Sequence, residues 1–319
     1  MFDGILKSKL FKNIPISSNS TSFHIIKPTE GKVTILKRSS YLLLNFLINH
    51  LPDTNIDKNT KVIDFKITNL KLQKDKIIAN NSPSRMINEL FWIKFPWMRV
   101  KEELSDINIL STGCGSGAYG ERLLNYSNNK ISHFTGIDIL EHPNWKILEE
   151  KYDYFKFFKG DSKEVFEYIP KGTNFFLTQS ALEHFDEDLT FFKEIRDYIK
   201  STNKNVIQVH TFPSRVCLYL YRFHGIRQYT LRTITKITNL FKDFSYSVLY
   251  NLGGDYCNYL HYKYLTNHPL GEKTFLRDLK PNEYRKLLYL SIKKDMMSPQ
   301  QNPNFYALII HSNYKNKIV

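Results

Sequence analysis

"ILSTGCGSGAYGERLL" (residues 109–124) decides the fold: an apolar run ends in four glycines spread over eight positions, and the chain then turns helical. Glycine lets backbone turn sharply and lets a ligand approach the main chain. Gly113, Gly115 and Gly117 follow the apolar run, which reads as a strand, and Gly120 opens the helix. A helix N-terminus offers free N–H groups and partial positive charge at that same place. The next apolar run, "HFTGIDIL" (133–140), ends on Asp138, 21 residues beyond Gly117. A carboxylate at that place and distance suits the two hydroxyls of a ribose. The combination predicts an adenosine-containing ligand in a crevice at the C-terminal ends of the strands.

Outward from this stretch the pattern is regular. Apolar runs recur at 107–113, 133–140, 154–161 ("YFKFFKGD"), 174–181 ("NFFLTQSA") and 205–212 ("NVIQVHTF"), with helical stretches between them. Strand and helix alternating at this spacing mean parallel strands joined by crossover helices. Two later strands, "FSYSVLYNL" (244–252) and "NFYALIIH" (304–311), complete a doubly wound, mostly parallel, seven-stranded Rossmann-like α/β sheet. Residues 1–85 read as an N-terminal extension capping the cleft, with "YLLLNFLINHL" (41–51) a helix and "KVTILKR" (32–38) and "VIDFKITNLKL" (62–72) strands. Residues 86–319 form the main domain, opening with an apolar helix broken at Pro96, and a lid or acceptor segment covers about 213–270.

The 319 residues carry a formal net charge of +14. Such a charge points first to nucleic acid or an anionic surface. The lysines are scattered, however, and the chain is rich throughout in Ile, Asn, Lys and Tyr, so nucleic acid stays open as a partner without being favoured. Cys114, Cys217 and Cys257 lie far apart and show no zinc spacing, which suits a reducing compartment. No run reaches the roughly 18 apolar residues of a membrane span. The amphipathic start (Phe2, Ile5, Leu6, Leu10, Phe11) lacks a cleavage site, and a cytoplasmic protein is expected.

Gly115-Ser-Gly117-Ala-Tyr-Gly120 is formally G-x-G-x-x-G, so a nicotinamide-dependent oxidoreductase competes. Later residues favour another ligand: Asp161 and Ser162 end the third strand where they could read an adenine edge, and "TQSALEHF" (178–185) sets a polar cluster over the crevice. With "STGCGSG", "GIDIL", "GDS" and "ALEHF" in this order, the sequence resembles the class I S-adenosylmethionine-dependent methyltransferases over about 105–215. "SPSRMINELFWIKFPW" (82–97) and "HTFPSRVCLYLYRFHGIRQYT" (210–230) look like members associated with surface-polysaccharide biosynthesis.

The resemblance implies S-adenosylmethionine as cofactor. Gly113, Gly115 and Gly117 would pass beneath its methionine part, Asp138 would hold the ribose, Asp161 and Ser162 the adenine, and Gln179 would line the pocket near the sulfonium. One departure is Ser111, where the family usually has an acid; its absence would weaken cofactor binding unless another carboxylate, such as Glu183, substitutes in part. Some small-RNA 2′-O-methyltransferases hold a metal with Glu-x-x-Glu-His after this strand. Here the window reads Ser180-Ala-Leu-Glu183-His184, the first carboxylate is missing, and no metal is expected.

The implied reaction is methylation of a sugar hydroxyl in a surface glycan or its nucleotide- or lipid-linked precursor. A hydroxyl acceptor must lose its proton, and imidazole suits that role. His184, after the fourth strand, and His210, at the end of the fifth, are expected to face the crevice, with His224 and Asp255 in the loops above it. Each could equally be a cap or a satisfied core residue. The aromatic stretches 216–233 and 253–265 suit stacking on sugar rings, with Arg222, Arg227 and Arg232 as clamps for phosphate or carboxylate. The same composition would serve RNA, or a plain apolar lid.

Overall fold

The computed structural model describes residues 17–29, 33–68, 70, 81–267 and 274–319. In chain order the elements are α1 (Ile35–Asn49), β1 (Thr60–Asp64), α2 (Pro83–Lys94), α3 (Trp97–Leu104), β2 (Ile107–Thr112), α4 (Ala118–Tyr126), β3 (Ile131–Asp138), α5 (Asn144–Lys151) and β4 (Phe155–Lys159). They continue with β5 (Phe175–Gln179), α6 (Asp188–Thr202), β6 (Val206–Pro213), α7 (Cys217–Leu220), α8 (Leu231–Thr238), β7 (Ser245–Leu252), α9 (Asp255–His261), α10 (Leu276–Leu279), α11 (Pro281–Met297) and β8 (Phe305–Ser312). Short 3₁₀ turns follow β4 (Ser162–Tyr168) and β5 (Leu182–His184).

These strands form one sheet in the order β1-β7-β8-β6-β5-β2-β3-β4. All neighbours pair in parallel except β8, which runs antiparallel to both β6 and β7. After β1, at the far edge beside β7, the chain passes to β2 inside the sheet, moves outward through β3 and β4, and returns to the other side of β2 with β5. Such a reversal of strand order opens a crevice beyond the strands' C-terminal ends. The α/β, doubly wound, Rossmann-like reading holds, with one correction: the sheet has eight strands, not seven. The eighth is β1, a piece of the N-terminal extension that lies alongside β7 with Thr60 opposite Ser247.

Both faces of the sheet are covered, so its strands are apolar on both sides. Ile109, Phe175, Leu177 and Val209 pack with α2, α3, α4, α5, α9 and α11, while Leu110, Phe176, Leu308 and Ile310 pack with α6 and α8. Ser82 caps α2 and Pro83 occupies its first turn, and Pro96 separates α2 from α3 as the sequence implies. The expected strand at 32–38 is absent from its described part. Thr34 instead caps α1, accepting from the Lys37 N–H at 3.3 Å. Tyr41, Leu44, Asn45, Ile48 and Asn49 then bury one helical face. The run of Val, Thr and Ile suggested a strand; the 3.6-residue period of positions 41–49 overrides it. Of the expected strand at 62–72, only the part to Asp64 is strand among the described residues; Asn69, Lys71 and Leu72 lie outside them, as does the amphipathic start at 2–11.

One buried polar hub ties the extension to the sheet. Asp188, fully buried at the start of α6, accepts from the Thr21 N–H at 2.8 Å and the Tyr229 hydroxyl at 2.8 Å, and lies 3.7 Å from Arg227. Arg227, 1% exposed, donates to the carbonyls of Leu182 (3.1 Å), Phe185 and Asp186 (3.0 Å) and to the Ser20 hydroxyl (2.9 Å). Removing one partner of a buried ion pair strands the other charge, at a cost of about 3–5 kcal/mol. Asp188→Ala is therefore expected to lose stability of that order in urea denaturation. A loss below about 1 kcal/mol would show that the guanidinium finds compensation elsewhere.

Candidate functional site

The glycine turn is held from both sides. The N–H groups of Gly113 and Cys114 donate to the Ile137 carbonyl at 2.8 and 3.0 Å, locking the end of β2 to β3. Gly113 has φ +72°, and a Cβ there would stand 2.4 Å from Ala181 Cβ, so only glycine fits. At Gly115 (φ +53°) a Cβ would meet nothing within 4 Å, because that side of the main chain faces open space. Gly117 caps α4. Trp145 Nε1 and Asn144 Nδ2 donate to the carbonyls of Gly115 (2.7 Å) and Ser116 (2.9 Å), so α5 braces the loop.

Asp138 completes the turn. Its Oδ2 accepts from the Gly115 N–H at 2.8 Å and its Oδ1 from the Leu140 N–H at 3.2 Å. A carboxylate has about four acceptor positions, so capacity remains on the side facing the cavity. That cavity, of about 420 Å³, is lined by Gly113, Asp138, Asp161, Ser162, Ser180 and His184 among others. Asp161 caps the following 3₁₀ turn through Oδ1, which accepts from the Lys163 N–H at 3.0 Å.

A second cavity of about 510 Å³ lies on the other side of the turn, lined by Arg85, Glu89, Ser111, Gly115, Arg122, Gln179 and His224 among others. Gly113 and Ser180 belong to both linings, so the two cavities meet there. Gln179 lines the second, but its Oε1 is already committed, accepting from Trp92 Nε1 (2.8 Å) and the Thr211 hydroxyl (2.9 Å).

The acid that shares a cavity wall with Ser111 is Glu89 on α2, not Glu183. Glu89 pairs with Arg122 at 2.5 Å and accepts from the Tyr126 hydroxyl. Sequence reasoning missed it, although Arg85, Asn88 and Glu89 are spaced i, i+3, i+4 and therefore share one helix face. Glu183 is instead fully buried in the turn after β5, with His224 Nε2 3.4 Å away.

The four expected catalytic residues separate into two pairs. His184 lines the first cavity and His224 the second, and their rings meet edge to face with centroids 4.9 Å apart. Desolvation lowers the pKa of His184, against the opposing pull of the Glu183 carboxyl. His210 does not face the crevice: it is fully buried, its Nδ1 lies 2.9 Å from the Thr178 hydroxyl, and Phe191 and Phe192 of α6 flank it. Side chains alternate along a strand, and in β6 it is Thr211 that points toward Gln179. Asp255 is likewise corrected: it is exposed at the start of α9, accepts from Asn302 Nδ2 at 3.1 Å, and lines neither cavity. Arg222, Arg227 and Arg232 also line neither. Arg227 is the buried hub, and the guanidinium groups at the site are those of Arg85 and Arg122. The three cysteines are unpaired thiols.

Strand order and glycine turn together define a doubly wound, Rossmann-like α/β protein with a two-chambered crevice between β2 and β5. No family model matches the chain, and no curated protein matches it. Among solved structures it is similar to the plantazolicin methyltransferase BamL in complex with a triazolic desmethylPZN analog and SAH. That match has 12% identity and a TM-score of 0.46, and covers 77% of this chain and 90% of that one. A chain of the complex between the Haloferax volcanii Trm112 methyltransferase activator and a putative methyltransferase matches at 13% identity and TM-score 0.40, covering 72% and 94%. An S-adenosylmethionine-dependent methyltransferase from Mesorhizobium loti matches at 11% identity and TM-score 0.39, covering 65% and 91%. Likeness at this level is one of outline and says nothing of activity or ligand.

Buried histidines make stability depend on pH. Burial lowers His210 to about 3 and His24, beside the Arg227 charge, also to about 3; His261 and His311 fall to about 4, again through burial. Unfolded, each takes up a proton near its ordinary value of about 6.5. Below that pH the unfolded chain binds more protons, so stability present above it is lost as pH falls toward 4 and then 3. The urea midpoint is expected to drop from pH 6.5 downward; a midpoint unchanged between pH 6.5 and 4.5 would contradict neutral burial of these rings.

Proposed function

We propose that the protein is an S-adenosylmethionine-dependent methyltransferase acting on a hydroxyl group. One observation carries the reading: two cavities that offer different polar groups meet at Gly113 and Ser180. The first offers Asp138, Asp161 and Ser162, acceptors and donors suited to ribose hydroxyls and an adenine edge. The second offers Arg85 and Arg122 beside Glu89, groups complementary to the carboxylate and ammonium of an amino acid. A ligand with a nucleoside at one end and an amino acid at the other fits that donor set. The open face of Gly115 supplies bare main chain to the second cavity.

Strand order argues against the nicotinamide alternative. Dinucleotide folds repeat two like halves of parallel strands, whereas here an antiparallel strand, β8, separates β6 from β7. When bound, S-adenosylmethionine supplies a methyl group already activated by its sulfonium. The residues of the chain then have to align the acceptor and exclude water. His184 and His224, at the meeting of the two cavities, are placed to hold an acceptor hydroxyl or take its proton.

As acceptor we favour a sugar hydroxyl of a surface glycan or its nucleotide- or lipid-linked precursor, with residues 213–270 as lid over a domain that begins near residue 86. Tyr221 and His224 of this segment reach the second cavity, and Tyr256, Tyr259 and Tyr262 are exposed, as stacking on sugar rings requires. A cytoplasmic location is part of the same reading; among the described residues no helix is long and apolar enough to cross a membrane. For an RNA acceptor the main basic groove is misplaced. Lys58, Lys61, Lys242 and Lys317 line it at the N-terminal ends of the parallel strands, away from the crevice.

Calorimetry with S-adenosylhomocysteine and with NAD tests the reading. Only the former is expected to bind, and Asp138→Ala is expected to weaken it at least tenfold, about 1.4 kcal/mol. Binding of NAD alone would replace the methyltransferase by an oxidoreductase. His184→Ala is expected to abolish labelled-methyl transfer to extracted glycans while changing S-adenosylhomocysteine affinity less than twofold; equal kcat in mutant and wild type removes His184 from the mechanism.

A further inference from the structure

The geometry points to a divalent-cation site formed by Glu183, His184 and His224. The sequence window after β5 holds only two of these ligands, too few to suggest a metal. The fold brings His224 to them from 40 residues downstream. Glu183 is fully buried, and neither of its carboxyl oxygens has a hydrogen-bond donor. Buried carboxyl oxygens are ordinarily satisfied, because leaving them without a partner costs free energy. What faces them is imidazole: His224 Nε2 lies 3.4 Å from Oε1, and the coordinating atoms of all three residues lie within 4.8 Å of one another.

Around one ion at about 2.1 Å, ligand atoms stand roughly 3.0–3.5 Å apart. The Glu183–His224 separation already has that value, and the exposed His184 side chain closes the set by rotation. The backbone under the ligands is fixed. The Ile226 N–H donates to the Glu183 carbonyl at 2.6 Å, and Gly225 packs so closely that a Cβ there would lie 2.9 Å from that carbonyl oxygen. Arg227 pins the carbonyls of Leu182 and Phe185 on either side.

One carboxylate and two imidazoles select a borderline cation such as zinc, manganese, iron(II) or cobalt over calcium or magnesium, which prefer oxygen. Three protein ligands leave coordination positions open. Since His184 lines one cavity and His224 the other, those positions face the junction between them. The role of the ion rests on the methyl-transfer reading: it holds an acceptor with two neighbouring oxygens, such as a vicinal diol, and polarises the hydroxyl so that its proton leaves to water. The histidines then act as ligands and not as proton acceptors.

Titration of the metal-stripped, tag-free full chain with Co²⁺, followed by its visible absorption, tests the site. One equivalent is expected to bind. Glu183→Gln and His224→Gln should each weaken binding at least tenfold, with His142→Gln, at an exposed histidine, unchanged. Circular dichroism melts should stay as in wild type. If Glu183→Gln does not fold, His224→Gln, whose ring is partly exposed, decides alone. Absence of a visible band at excess Co²⁺, or wild-type affinity in His224→Gln, overturns the site. Co²⁺ binding in a protein that ignores S-adenosylhomocysteine supports the site and overturns its role in methyl transfer. Binding of S-adenosylhomocysteine without Co²⁺ overturns the site and leaves methyl transfer standing.

Discussion

Arg227 holds its guanidinium inside the protein, against Asp188 and four oxygens drawn from two distant parts of the chain. A buried charge of this kind needs partners for its donors; both terminal nitrogens have them, three of the acceptors being main-chain carbonyls in the turn after β5, while Nε has none. That turn carries Glu183 and His184, and the residues just before Arg227 carry His224. The shape of the crevice's upper wall is thus set by a pair of charges that never touch it. Ser20 and Thr21 join the same hub, and Lys27, Pro28 and Thr29 line the first cavity, so the described N-terminal segment is tied to the turn that carries Glu183 and His184.

Much of the fold was legible because its signals are local. Glycines at 113, 115 and 117 between an apolar run and a helix, an acid at the end of the next strand, and strands alternating with helices are all set by chain geometry at short range. The sites that resisted reading depend on facts that sequence does not carry. In "NVIQVHTF" both faces of β6 are buried, so no polar alternation shows which way His210 points. Asp255 and Arg227 look alike in sequence, as charges among aromatics, yet one is exposed and the other sealed. Glu89 was obscured because its helix is buried nearly all round, polar residues included, and only its position beside Arg122 gives it meaning.

The two cavities differ in the charged groups they present. The first has carboxyls from Asp138 and Asp161 in its wall, and the second has the guanidinium groups of Arg85 and Arg122 with Glu89. The acid that shares the second cavity with Ser111 comes from α2 and not from the strand that carries Ser111.

The edge strand β1 has a consequence for how the molecule is made. Its partner β7 is synthesised some 180 residues later, so residues 60–64 emerge early and wait while the interior of the sheet assembles. A shortened version beginning at the first glycine-rich strand would bare the flank of β7 and its unsatisfied main-chain groups, a ready template for association between molecules. Recombinant fragments cut at that point are therefore poorer objects of study than the chain that retains its early residues.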